Sequence, residues 1–254
     1  MRIDYTFAIY PKVKGPSTDF VPPSRCQSSE LQTYWDQVNR ARWGRYIEAV
    51  EEEVVRDAVR GAVKSGSMVD VGCGGGRWSR LGMEAGLRTI CLDTDVSVLE
   101  TCRHRLPEAE CVLTSPDQVT LPVASGTASI VLCMEVFPVV ATEWFANEAA
   151  RVLLPGGRLI GVFGNRASLR GWLWHFLKRD NGGIDFYPTA YSQWRKGMIA
   201  RGFEFESQVG ICWFPFGRSS DSVLIPACVR IEELLSLRRI PTMSPWIVFS
   251  ACRK

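Results

Sequence analysis

The residues best suited to bind a ligand form a glycine-rich stretch at positions 67–76, Ser-Met-Val-Asp-Val-Gly-Cys-Gly-Gly-Gly. Its apolar beginning is typical of a strand that is buried on both faces of a parallel sheet. Glycines let the backbone turn sharply and leave room for a ligand against it. A helix that begins near Arg77 would direct its free N–H groups toward that ligand. The pattern predicts a site for a carboxylate, ribose hydroxyls or phosphates.

Two classes of cofactor suit such a turn, and the spacing of the glycines separates them. A dinucleotide fold prefers G-x-G-x-x-G after its first strand. Counted from Gly72, the third glycine of that pattern would fall on Arg77. The chain has G-x-G-x-G instead, and Asp70 stands two residues before the first glycine. The stretch therefore resembles motif I of the class I S-adenosylmethionine (SAM) methyltransferases.

The composition is that of an ordinary globular protein and limits the possible partners. The 254 residues carry a formal net charge of +3, so we expect no nucleic-acid partner. The nine cysteines lack a C-x-x-C pair and the chain has two histidines, so we expect no metal site. No apolar run approaches the roughly 20 residues of a membrane span, and no signal peptide is recognised. We expect a cytoplasmic protein.

Strand and helix patterns alternate through the middle of the chain. Predicted strands cover 67–71, 88–92, 109–113, 128–133 and 158–163, and predicted helices cover 45–63, 76–85, 95–106 and 142–153. This alternation predicts a parallel sheet with helical crossovers. A turn at 155–157, Pro-Gly-Gly, is expected to reverse the chain before the fifth strand.

The two ends of the chain depart from this alternation. Residues 1–44 contain a proline-rich segment and a predicted helix that begins near Ser28 or Ser29, and we expect them to form an extension or lid. Residues 45–254 form the predicted main domain. Within it, 164–191 is an aromatic insertion, followed by predicted helices at 192–201 and 223–237 and strands at 203–206 and 246–251.

Four motifs together make the resemblance to class I SAM methyltransferases specific. Besides motif I, Asp93 ends the second strand, Asp117-Gln118 follows the third, and an acidic residue leads into Pro155-Gly156-Gly157 before the fifth. The closest similarity is to the small-molecule enzymes of the ubiquinone and menaquinone biosynthesis type. The resemblance implies a Rossmann-like, doubly wound α/β fold with a seven-stranded sheet, parallel except for the last strand.

The candidate residues of the cofactor site have chemical roles that fit SAM. Asp93 can accept hydrogen bonds from the ribose hydroxyls, or cap the next helix. Asp117 and Gln118 can read the adenine edge, or form a plain turn. Tyr34, on the lid, can reach the cofactor. The complete set is Tyr34, Asp70, Gly72, Cys73, Gly74, Gly76, Asp93, Thr94, Asp117, Gln118, Cys133 and Met134.

A general base is harder to assign than the cofactor site. Many relatives carry a histidine shortly after the fourth strand, where this chain has Phe137. His175 and Tyr187, in the aromatic insertion, are the alternative catalytic candidates, although each also suits an apolar core. Glu135 is a further candidate for a base or a helix-dipole partner.

Aromatic residues crowd the region beyond the fifth strand and indicate an apolar acceptor pocket. The sequence therefore predicts a SAM-dependent methyltransferase that acts on a hydrophobic small molecule, with O-methylation slightly favoured over N- or C-methylation. Two alternatives stay open. One is a protein of this fold with cyclase or decarboxylase chemistry, and the other is a non-catalytic SAM-binding subunit.

Overall fold

The computed structural model describes residues 32–177 and 185–254. In chain order these residues form α1 (Tyr34–Val38), α2 (Arg42–Arg60), β1 (Ser67–Val71), α3 (Ser79–Glu84), β2 (Thr89–Asp93), α4 (Val96–Arg105), β3 (Glu110–Leu113), β4 (Ala128–Cys133), α5 (Phe137–Val140), α6 (Glu143–Val152), β5 (Leu153–Gly164), α7 (Leu169–Phe176), α8 (Tyr191–Ala200), β6 (Phe203–Ile211), α9 (Ile225–Leu234) and β7 (Trp246–Arg253). A short 3₁₀ turn spans Leu237–Arg239.

The strands form a seven-stranded sheet in the order β3-β2-β1-β4-β5-β7-β6. All neighbours pair in parallel except β7, which runs antiparallel to both β5 and β6. The predicted fold class is therefore confirmed. The strand order reverses at β1, so the carboxyl ends of β1, β2 and β4 meet at one edge, where α/β sheets bind ligands.

Alternate side chains of the central strands enter two cores, one on each face of the sheet. Met68, Ile130 and Leu132 pack on the face covered by α2 and α3. Val69 and Val131 point the other way, toward α6 and α8. Strands buried on both faces read as continuous apolar runs, which is why β1 and β4 could be recognised in the sequence.

Helix α2 spans the predicted boundary between the extension and the main domain. The expected boundary after residue 44 falls inside α2, because Trp43 is buried and stacks on Tyr46, with ring centroids 4.7 Å apart. Trp43 also packs against Phe216, which follows β6. The predicted preceding helix is limited to α1, which Thr33 caps through the backbone N–H of Asp36. The predicted caps Ser28 and Ser29 lie outside the described residues.

Two strand boundaries differ from the predicted ones because strand pairing extends beyond the residues with a strand-like sequence pattern. β5 begins at Leu153, so Pro155-Gly156-Gly157 lies within the strand, beside a register irregularity in β4, and does not precede it. β6 continues to Ile211, well past the predicted 203–206, because β7 pairs with it over that length. Among residues 32–177 and 185–254, no helix has the length and apolar character needed to cross a membrane.

Candidate active site

One carboxylate fastens the glycine-rich loop to the neighbouring strand. The backbone N–H of Gly74 donates to Asp93 Oδ2 at 2.9 Å. Asp93 Oδ1 accepts from the backbone N–H groups of Thr94 and Asp95 at 2.7 and 3.0 Å. Burial raises the pKa of Asp93, and these three N–H donors oppose that rise. The helix cap predicted as an alternative role belongs to Asp95, which accepts from Ser97 N–H.

The loop reaches this position through a backbone conformation that favours glycine. Gly72 has φ +73°, in the left-handed region. A Cβ at this position would also collide with the side chain of Val136, which follows β4. The loop therefore lies directly against the chain that leaves β4, and a side chain at position 72 would separate them.

A cleft opens at the carboxyl edge of the sheet, beside this loop. It encloses about 510 Å³ of empty space that is continuous with solvent. Its walls include the polar groups of Asp93, Thr94 and Gln118 and apolar side chains of Leu92, Leu121, Val136 and Trp144. Gly72 forms part of the same wall. Polar groups at one end of a mostly apolar slot are typical of a small-molecule site.

Several predicted cofactor residues lie outside the walls of this cleft. Asp117 is exposed to solvent, whereas its neighbour Gln118 lines the cleft and donates through Nε2 to the Thr120 carbonyl at 2.8 Å. Cys133 and Met134 are buried in the two opposite cores and line none of it. Burial also raises the pKa of the Cys133 thiol well above its usual value.

Asp70 supports the loop from below. Its side chain is buried and accepts a hydrogen bond from Ser79 Oγ at 2.6 Å, at the start of α3. Burial raises the pKa of Asp70 to about 7, and the nearby Cys91 adds to that rise. The remaining loop positions, Cys73 and Gly76, lie against α4. Cys73 packs with Cys102 and Leu106 of α4 and its end, and a Cβ at Gly76 would collide with the same two side chains.

The helix α1 covers the loop from above. A Cβ at Gly75 would come within 2.7 Å of Thr33 Cγ2, so the cap of α1 touches the loop backbone. Asp36, in the first turn of α1, pairs with Arg105 of α4 at 2.6 Å. Tyr34 is partly exposed, packs edge-on against Trp35 and does not line the cleft.

Beside the loop lies a set of buried charges that we call the charged cluster: Glu51, Arg77, Glu135 and Arg218. Arg218 Nη1 lies 2.5 Å from Glu135 Oε1, and Arg218 Nη2 lies 3.6 Å from Glu51 Oε2. Arg77 approaches the same two carboxylates at 3.7 and 3.8 Å. The four residues come from α2, the loop before α3, the end of β4 and the segment after β6, so the cluster ties those elements together.

The electrostatics of the charged cluster follow from its burial. Burial, and then the charge of Glu135, raise the pKa of Glu51 well above its usual value. Burial alone would lower the pKa of Arg218, but Glu135 and Glu51 hold it above its usual value. Glu135 has φ +59°, a strained conformation for a non-glycine residue. The chain thus bends sharply at the end of β4 and turns this carboxylate into the cluster.

Trp35 of α1 closes the charged cluster. Its ring lies under both guanidinium groups, with ring-centroid distances of 5.9 Å to Arg77 Cζ and 5.1 Å to Arg218 Cζ. Asn39, which caps the carboxyl end of α1, accepts from Arg218 Nη2 at 3.0 Å. Cation–π and hydrogen-bond contacts therefore connect α1 to the cluster.

The two predicted catalytic residues lie together but away from the cleft. His175 Nε2 donates to the Tyr187 carbonyl oxygen at 2.8 Å and lies 3.6 Å from Asp185 Oδ1. The Tyr187 side chain is buried, and burial raises its pKa to about 12. Neither residue lines the cleft. Their contacts indicate that they hold the 185–187 segment against α7.

The aromatic residues divide into a core group and a group near the end of β4. Trp194 stacks on Phe163 with ring centroids 4.5 Å apart, inside the core. Phe137, which follows the chain bend at Glu135, contacts Phe186 at 5.2 Å between ring centroids. Phe186 in turn contacts Trp174 of α7 at 5.4 Å. We call Phe137, Phe186 and Trp174 the aromatic row.

Three cysteines that are distant in the sequence meet beneath the loop. The sulfur atoms of Cys73, Cys91 and Cys102 all lie within 4.8 Å of one another. Cys111 Sγ lies 3.6 Å from Cys102 Sγ. Their separations along the chain follow no familiar motif, and only the β1-α3-β2-α4-β3 path brings them together.

Comparisons with known proteins agree with this architecture. Residues 69–161 match the family described as a methyltransferase domain. An uncharacterized methyltransferase-like protein of Schizosaccharomyces pombe is 26% identical over 176 residues, which are 67% of this chain and 62% of that protein. An uncharacterized methyltransferase of Mycobacterium bovis is 29% identical over 106 residues, 42% of this chain and 43% of that protein. These matches span less than two thirds of the length of either relative.

A solved structure shows the same fold over most of the chain. The geranyl diphosphate C-methyltransferase from Streptomyces coelicolor A3(2) superposes with a TM-score of 0.61 at 16% identity, covering 89% of this chain and 83% of that one. Together, these matches and the shared fold support the predicted resemblance to the class I SAM-dependent methyltransferases. Similarity to the ubiquinone and menaquinone type stays a prediction.

Removing the buried arginine of the charged cluster should lower the stability of the protein. Arg218→Met leaves the Glu51 and Glu135 carboxylates buried with Arg77 as their remaining cation in the cluster, so the free energy of unfolding should fall by about 3–5 kcal/mol. Urea denaturation measures the change. The double variant Arg218→Met, Glu135→Gln should lose less than the single variant.

The matched control for that measurement is Arg60→Met. Arg60 forms an exposed pair with Asp57, so its loss should change stability by less than about 1 kcal/mol. Equal effects of the two arginine substitutions would show that the charged cluster contributes no more than a surface ion pair.

The raised pKa of Asp70 predicts a pH-dependent stability. Between about pH 4 and pH 7 the folded protein retains a proton on Asp70 that the unfolded chain loses, so this contribution to stability falls as the pH rises. Asp70→Asn removes the titration. Relative to this variant, the wild type should lose about 2–4 kcal/mol between pH 4 and pH 8.

Urea unfolding at several pH values would measure that difference. Asp117→Asn, at an exposed position, is the control and should follow the wild type throughout. Parallel stability curves for the wild type and Asp70→Asn would contradict the proposed titration.

Proposed function

We propose that this protein transfers a methyl group from SAM to a hydrophobic small molecule. The observation that carries the proposal is the cleft at the carboxyl edge of β1, β2 and β4, with the Asp93 carboxylate and the Gly72 backbone in one wall. A ribose and an adenine need such a combination of a fixed acceptor, a close backbone approach and apolar faces.

In this proposal the adenosine lies in the cleft. Three backbone N–H groups already occupy three of the roughly four acceptor positions of the Asp93 carboxylate, which leaves one for a direct bond to a ribose hydroxyl. The adenine packs between Leu92, Leu121 and Val136, and Gln118 and its backbone face the adenine edge. Asp117 then has no direct contact with the base.

The methionine end extends from the cleft across the glycine-rich loop. It carries an ammonium group and a carboxylate, and the charged cluster offers groups of both complementary signs in Glu135 and Arg77. Val136 touches Gly72, so the sulfonium would lie close to the end of β4. This places the methyl group beside Glu135 and Phe137.

The reaction itself requires little from the protein beyond alignment. Methyl transfer is an in-line displacement in which the sulfur leaves as a neutral thioether, so no acid is needed. An alcohol or phenol acceptor must lose a proton, and O-methylation therefore needs a base. Glu135 follows β4 near the proposed transfer point, but it is buried and paired with Arg218, and Tyr187 and His175 are held elsewhere by their own contacts.

The proposed acceptor is apolar because the aromatic row leads away from the transfer point. Phe137, Phe186 and Trp174 offer ring faces and edges in place of hydrogen-bonding groups. Similar solved structures include a geranyl diphosphate methyltransferase in complex with GPP and sinefungin. The aromatic row supports an acceptor with an apolar part, with O-methylation kept as the slightly favoured outcome.

Two measurements on the full chain test the proposal. Calorimetric titration should detect SAM binding at one site, and incubation with methyl-labelled SAM and a library of phenols, terpenoids and polyketides should give a labelled product. Binding without methyl transfer, but with conversion of a substrate by ring closure or loss of CO₂, would favour the cyclase or decarboxylase alternative. Binding without any turnover would favour a non-catalytic subunit, and absence of binding would refute the proposal.

The role of Asp93 predicts a specific loss of cofactor affinity. Asp93→Ala removes the ribose acceptor and releases Gly74, so the dissociation constant for SAM should rise roughly 10- to 100-fold, which corresponds to about 1.4–3 kcal/mol. Calorimetry measures the change. Asp117→Ala is the matched control, since the Asp117 side chain is exposed and lies outside the cleft. This variant should bind SAM with the affinity of the wild type.

A further inference from the structure

The helix α7 presents its apolar side to solvent. Leu169, Trp172, Leu173 and Phe176 recur at the spacing of one helix face, and their exposed fractions are 72%, 57%, 40% and 69%. We call these four residues the α7 face. An amphipathic helix normally buries this face, and an exposed apolar surface with two aromatic rings indicates a binding surface.

The inner side of α7 already has its packing partners. Gly171 lies against the backbone of Asn165 and Arg166, so a side chain there would have no room. Trp174 contacts Phe186 and Tyr187, and His175 is bonded to the Tyr187 carbonyl. The orientation of α7 is therefore fixed, and rotation cannot bury the exposed face.

The charged residues of α7 and its flanking sequence are mostly basic. Residues 166–185 contain Arg166, Arg170, Lys178 and Arg179 against Asp180 and Asp185. Arg166 is exposed to solvent. Basic residues beside an exposed stripe of leucine, tryptophan and phenylalanine are the composition of helices that lie in the surface of an anionic bilayer.

The position of α7 connects this surface to the proposed reaction. α7 follows β5, which is parallel to β1 and β4, so it stands at the same edge of the sheet as the cleft. Trp174, on the inner side of α7, begins the aromatic row that ends at Phe137 beside the end of β4. Trp174 is half-buried and Phe137 is buried, so packed rings connect α7 to the end of β4.

We propose that the α7 face inserts into the surface of a bilayer that contains anionic lipid, and that the acceptor is a molecule dissolved in that bilayer. The second half rests on the proposed function. In this arrangement tryptophan and phenylalanine sit at the boundary between headgroups and acyl chains, and Arg166 and Arg170 contact lipid phosphates. The acceptor class then narrows to hydrophobic molecules that partition into membranes.

Sedimentation of the full chain with vesicles tests the bilayer contact. The wild type should sediment with vesicles of phosphatidylcholine and phosphatidylglycerol, and much less with phosphatidylcholine alone. Raising NaCl should weaken binding because salt screens the arginines. Trp172→Ser, Phe176→Ser should lower the partition coefficient roughly tenfold or more, since it removes the two largest apolar groups of the face.

The matched control is Val63→Ser, Ile199→Ser. Both residues are also exposed and apolar, but they lie at the end of α2 and in α8. This variant should sediment like the wild type. Because all four substituted positions are exposed, circular dichroism and urea unfolding should show that both variants keep the fold.

Three results would overturn the bilayer contact. The first is that the wild type does not sediment with anionic vesicles. The second is that the Trp172→Ser, Phe176→Ser variant sediments as much as the wild type. The third is that the wild type forms a dimer in light scattering and binds no vesicles, whereas the variant is a monomer. The last result would assign the face to a second copy of the chain.

The acceptor half has its own readout. Labelled-methyl transfer to acceptors held in anionic vesicles should fall in the α7 variant, while transfer to the same acceptors in detergent micelles should not. Vesicle sedimentation needs neither SAM nor acceptor, so its failure counts against this inference alone. Failure of SAM binding counts against the proposed function alone.

Discussion

The hydrogen bond from Gly74 N–H to Asp93 is the contact on which the site depends. It joins the loop after β1 to the last residue of β2, and it fixes the shape of the wall that faces the cleft. Asp70 holds the same loop from beneath through Ser79, while α1 presses on it at Gly75. The loop is thus positioned from three sides before any ligand arrives, which reduces the ordering that binding must supply.

The sequence predicted the strands, the turn and the helix around the loop well because the information for them is local. A strand ending in an acid, a glycine turn and a following helix are coded within ten residues, and Asp93 could be located by its place at the end of the next strand. The sheet followed from the alternation of strand and helix. The antiparallel final strand came from the resemblance to the family, because nothing in the 246–251 pattern specifies its direction.

The charged cluster could not be predicted in the same way. Glu135 and Arg218 are separated by 83 positions, and Glu51 begins a run of three glutamates that is typical of an exposed helix side, although Glu51 itself is buried. The chemistry and the aromatic surroundings of His175 and Tyr187 make them catalytic candidates in the sequence, but a carbonyl contact and burial hold them apart from the cleft. Residue type indicates what a side chain can do, whereas only tertiary packing decides what it faces.

The closure by α1 has a kinetic consequence. Trp35 rests on two guanidinium groups, Asp36 pairs with Arg105, and Thr33 touches the backbone at Gly75. In the proposed binding mode the methionine end of the cofactor crosses the loop beside these contacts, while the adenosine end lies in a cleft that is open to solvent. Movement of this five-residue helix would therefore affect release of the methionine end more than release of the adenosine.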